Sequence, residues 1–191
     1  MAPDRRIAEM VVGSSLRRGG VQVIAVTGGK GGVGKSTVSI NLATGLAMAG
    51  RKTIVLDGDL GLANADVMLG ITPKYTLADV ISGTRTLEEA LTPVRENLSI
   101  VAGASGVTKL ASLGAAEHIG IVRAFSSLVD EVDALIVDTP AGIAPGVLQL
   151  TQAAQHIIVV VCDEPASVTD AYAVIKVLSA EHGLRHFKIV T

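Results

Sequence analysis

Gly29-Lys30-Gly31-Gly32-Val33-Gly34-Lys35-Ser36, followed by Thr37, is the stretch on which the fold turns. It satisfies the pattern G-x-x-x-x-G-K-[ST]. Glycines let a backbone curl until successive N–H groups converge on one point, which suits phosphate oxygens. The context agrees. The apolar run at 21–26 reads as a strand, and 36–49 reads as a helix whose positive end faces the curl. In such a loop Lys35 reaches the β- and γ-phosphates of a nucleotide and the Ser36 hydroxyl ligates magnesium. A glycine-rich turn carrying a chance lysine is the plain alternative, and the strand and helix on either side argue against it. Residues 29–37 are therefore expected to bind ATP with magnesium.

Working outward, four more short apolar runs stand at 53–57, 134–138, 156–162 and 187–191, with a weaker one at 97–102. They are continuous rather than alternating, which marks strands buried on both faces. Helical stretches at 115–129, 144–154 and 168–182 lie among them. Gly50 and Gly183 stand where helix C-terminal glycines belong. Strand and helix in alternation predict an α/β fold, a P-loop NTPase with a mainly parallel sheet flanked by helices on both faces. Composition agrees: 49% of residues are hydrophobic but only 2% aromatic, so the core must be aliphatic. Residues 74–93 are more broken, with helical pieces at 77–81 and 87–91, and read as a peripheral insertion. Residues 1–20 read as a flexible tail and 21–191 as one ATPase domain. The final strand candidate ends with the chain, so the domain is expected to continue beyond Thr191.

Two further motifs carry carboxylates. Asp57-Gly58-Asp59-Leu60-Gly61-Leu62-Ala63-Asn64 begins where the second strand ends, the edge at which open parallel sheets bind ligands. Asp59 is expected to orient the attacking water. Asp57 either supports magnesium through water or fixes the turn. Asp138-Thr139-Pro140-Ala141-Gly142 follows another apolar strand, the usual place for a magnesium-side carboxylate. The Gly142 amide is a candidate contact to the γ-phosphate.

Other features exclude rather than assign. Net charge is −2, so direct DNA binding is not expected. The lone cysteine, Cys162, reads as a buried core thiol in a reducing cytosol. It cannot supply the two ligands per subunit of a shared iron–sulfur cluster, so an electron donor built on the same loop is excluded. No signal peptide is visible, and no run reaches the length of a membrane span. His118, His156, His182 and His186 lack ligand-like spacing.

The order of these three motifs, with the extra Lys30, resembles the deviant phosphate loop of the MinD/ParA group of ATPases. Longer stretches (21–30, 59–64 and Val161-Cys162-Asp163-Glu164-Pro165 with 167–172) look like its flagellar-number branch, FleN/FlhG. The resemblance implies an ATP-dependent homodimer that separates after hydrolysis. Lys30 would reach the partner's nucleotide, Lys35 would bind phosphate, Ser36 and Asp138 would stand at the magnesium, and Asp59 would be catalytic. It further implies a flagellar transcription activator and the polar GTPase FlhF as partners, and peripheral contact with the inner membrane from the cytoplasm. A division-site MinD-like role or a ParA-like partitioning role is the alternative. Residues contacting adenine follow the last strand in that group, so none is assigned.

Overall fold

The computed structural model describes residues 21–59, 64–103 and 132–191. The proposed tail at 1–20 and the helix expected at 115–129 lie outside the described residues.

Among the described residues seven strands form one sheet: β1 (Gln22–Thr27), β2 (Thr53–Asp57), β3 (Thr92–Arg95), β4 (Leu98–Val101), β5 (Ala134–Asp138), β6 (His156–Val160) and β7 (Lys188–Val190). Their order is β3-β4-β2-β5-β1-β6-β7, and every neighbouring pair is parallel except β3 with β4. The described helices are α1 (Lys35–Met48), α2 (Ala65–Leu69), α3 (Leu77–Ile81), α4 (Leu87–Ala90), α5 (Pro145–Gln152) and α6 (Pro165–His182).

Alternation along the strands sends neighbouring residues to opposite faces of the sheet. On one face Ile24, Val26, Val55, Ile136 and Ile158 pack with Leu42, Ala43, Leu46 and Ala47 of α1. On the other, Ile54, Leu56, Leu135 and Val137 pack with Leu77, Leu87, Ala90 and Leu150 of α3, α4 and α5. Ile157, Val159 and Ala171 continue that second layer beneath α6. Helices therefore cover both faces, which is why these strands have no polar side in the sequence.

The structure corrects the reading of 74–93 as peripheral. Leu77, Leu87 and Ala90 are at most 3% exposed and close one face of the core. Capping boxes at Thr76 with Asp79 and at Thr86 with Glu89 let such short helices form. The run expected to remain a strand to 162 ends at Val160. The Cys162 amide instead donates to Ser167 Oγ at 2.9 Å, turning the chain into α6. Gly50 and Gly183 have φ of 79° and 70°, as helix-ending glycines should. No described helix is long and apolar enough to cross a membrane.

Candidate nucleotide-binding site

Strands β2, β5 and β1 lie side by side and parallel, so the loops leaving their C-terminal ends converge. Asp57 and Asp138 are paired in register as the last residues of β2 and β5. The resulting cleft, about 380 Å³, is lined by Gly31, Gly32, Gly34, Lys35, Ser36, Thr37, Asp57, Asp59, Asn64, Met68, Asp138, Thr139 and Ala141. Most of the expected site residues thus share one space.

The loop itself curls through Gly32 and Gly34, whose φ values of 80° and 96° are open chiefly to glycine. Gly34 caps α1, and Lys35 is the first helical residue, so the loop amides and the helix's positive end face the cleft together. Burial lowers the Lys35 pKa, opposed by the charges of Asp138 and Asp59. A partly desolvated ammonium between carboxylates is poised to take an anionic oxygen.

Asp57 is 1% exposed, and both of its oxygens accept backbone bonds. Oδ1 takes the Asp59 amide at 3.1 Å and Oδ2 the Ala65 amide at 3.2 Å. One carboxylate therefore clamps both ends of the segment that carries Asp59. Between the two readings left open for Asp57, this geometry favours fixing the turn. Burial raises its pKa to about 6, the two amide bonds opposing and Asp138 adding to the rise. Gly58 between the two acids is required by contact, because a Cβ there would meet the Asp138 carbonyl oxygen at 2.8 Å.

Asp138 is 3% exposed, and its pKa is raised by burial against hydrogen bonds from Ser36 and Ser39. The Ser39 bond is 3.1 Å to Oδ1. These groups fit magnesium by the chemistry of the set: a hydroxyl beside a buried carboxylate, both hard oxygen donors. No group of three or more His, Cys, Asp or Glu that could hold a metal ion occurs among the described residues.

Four expected contacts fall outside the cleft. Lys30 turns away, its Nζ 2.6 Å from Glu164 Oε1, and that hydrogen bond is the main cause of its raised pKa. Gly29 abuts α6, where a Cβ would come within 2.3 Å of the Asp170 backbone. The Gly142 amide, a candidate γ-phosphate contact, donates to the Gly28 carbonyl at 3.0 Å in this arrangement and so ties the Asp138 loop to the phosphate loop. Val33 is buried in the core below the loop. Ser39 and Glu164 were missed as contributors. A serine on the inward face of α1, one turn after Lys35, was the available signal for the first.

A family model for ParA, described as NUBPL iron-transfer P-loop NTPase, matches residues 20–184. The antiactivator FleN of Pseudomonas aeruginosa is 53% identical over 170 residues, covering 89% of this chain and 61% of FleN. The flagellum site-determining protein YlxH of Helicobacter pylori is 35% identical over 162 residues, covering 85% of this chain and 55% of its own length. Among solved structures, the septum site-determining protein MinD of Pyrococcus horikoshii OT3, complexed with Mg-ADP, superposes with a TM-score of 0.75 at 32% identity. That match covers 88% of this chain and 68% of MinD. The chain thus spans somewhat over half the length of the curated relatives it matches.

Proposed function

The chain belongs to the ParA family of P-loop NTPases, and from that premise we propose that it is a magnesium-dependent ATPase whose nucleotide cycle drives dimerisation and regulates flagellar number and placement. The observation that carries this reading is the convergence of Lys35, Ser36, Asp57, Asp59 and Asp138 on one cleft. Loop amides and Lys35 hold the phosphates. Ser36 and Asp138 stand where a magnesium ion would be held, and that ion supplies neutralisation of phosphate charge. Asp59, steadied by Asp57, orients water towards the γ-phosphate, accepting its proton as attack proceeds. Lys30 lies outside this cleft, which supports a role towards a partner's nucleotide. The flagellar assignment rests on the likeness to FleN and YlxH. The higher identity to FleN favours it over a septum-site role. A transcription activator is then the expected partner, with FlhF and a membrane surface as further ones.

The test combines phosphate release with light scattering. We expect ATP hydrolysis that requires magnesium and a dimer formed with a non-hydrolysable ATP analogue but not with ADP. A chain that stays monomeric with the analogue, and whose rate per subunit is independent of protein concentration, would overturn the switch.

A further inference from the structure

The inward face of α1 packs Leu42, Ala43, Leu46 and Ala47 against the sheet, yet Ser39 on the same face is fully buried. A hydroxyl among aliphatic side chains is costly unless bonded. The Lys35 carbonyl, 3.0 Å from Ser39 Oγ, would alone meet that need. The second contact is different in kind: Oγ also lies 3.1 Å from Oδ1 of Asp138, bridging 99 positions of sequence. A carboxylate is the stronger acceptor for the single hydroxyl proton. Ser36 also bonds Asp138, and it lines the cleft. Ser39 lies outside the cleft lining, deeper in the fold. Its hold on Oδ1 therefore comes from outside the cleft, whereas that of Ser36 comes from within it.

We propose that Ser39 is a positioning residue that fixes the Asp138 carboxylate from below, so that Asp138 and Ser36 present oxygens to the same magnesium ion. This deepens the ATPase reading and rests on it. Outer contacts of this kind change metal affinity by about 10–100-fold when removed. The effect should appear in the magnesium-dependent part of nucleotide binding, because loop amides and Lys35 hold the phosphates without Ser39.

The experiment is titration of ADP into the protein by calorimetry, in EDTA and across a magnesium series, for wild type, Ser39→Ala and Ser39→Cys. In Ser39→Ala the half-saturating magnesium concentration should rise about tenfold or more, with ADP affinity in EDTA unchanged. Ser39→Cys, similar in shape but a weaker donor, should fall between. Equal losses with and without magnesium would mean a merely structural role and overturn the proposal. So would an unchanged magnesium requirement in a folded Ser39→Ala protein. Failure of the wild type to bind ADP at all would instead defeat the nucleotide reading.

Discussion

Asp57→Asn separates the charge of the clamp from its shape. In the ligand-free chain the Asp57 pKa is raised from 3.8 to about 6. The native state therefore holds this proton more tightly than the unfolded state does. Ionisation costs stability, none of it below the unfolded pKa and all of it above the folded one. At about 1.4 kcal/mol per unit, a rise of roughly two units gives a full cost of about 3 kcal/mol. Part is already incurred by pH 5, leaving roughly 1.5 kcal/mol to be lost between pH 5 and pH 8. Urea unfolding in EDTA at several pH values should show that decline in wild type. Asp57→Asn should show a shallower one, the remainder including Asp138, whose pKa is also raised. The variant's baseline will fall by about 1–3 kcal/mol, since one of the amides of Asp59 and Ala65 loses its acceptor. The slope, not the baseline, is the readout. Identical pH slopes in the two proteins would refute the assignment of a protonating, desolvated carboxylate to this position.

Lys35→Ala should weaken ATP and ADP binding at least 10–100-fold, from loss of a charge-assisted contact; calorimetry with a folded variant decides it, and wild-type affinity would remove Lys35 from the site. Asp59→Ala should bind ATP and dimerise yet release phosphate about 10²–10⁴-fold more slowly, and undiminished release would remove Asp59 from the water-orienting role. Lys30→Ala should bind ATP as a monomer with hydrolysis reduced by roughly 10³ or more, as when an arginine finger is withheld. Glu164→Gln removes the intrachain partner of Lys30, so the analogue-bound dimer should form at lower protein concentration in light scattering; an unchanged or weaker dimer would mean that Glu164 does not compete for that lysine.

Much of the fold was legible because the central strands are buried on both faces, and burial on both faces leaves a continuous apolar run. Strand β3 escaped because it is an edge strand: Thr92-Pro93-Val94-Arg95 alternates in burial, carries a proline and pairs antiparallel with a register shift between Pro93 and Arg95. The buried role of Leu77 and Leu87 was hidden because each sits in a capped helix of only five or four residues, too short to show a periodic apolar face, and only packing with Ile54 and Leu56 gives it meaning. At the site, Lys35, Ser36, Asp57, Asp59 and Asp138 could be placed together in advance, since parallel strands send their C-terminal loops to one edge. The partners of Lys30 and Asp138 could not. Glu164 lies 134 positions from Lys30 and Ser39 lies 99 from Asp138. Such pairings are set by how α6 and α1 dock, not by local pattern.

The place of β1 in the sheet also bears on synthesis. Its partners are β5 and β6 alone: Gln22 pairs with Ala134, and Ile24 with His156. Strands β2, β3 and β4 can associate much sooner, as Thr53 pairs with Leu98 and Thr92 with Ile100. The phosphate loop therefore leaves the ribosome early but waits for its flanking strands. At roughly 5–20 residues per second, the interval from Thr37 to Val160 is on the order of ten seconds. Until β5 is made at Asp138, β1 is an apolar strand without either of its sheet neighbours. The sheet around the phosphate loop is complete only once β5 and β6 have both been made.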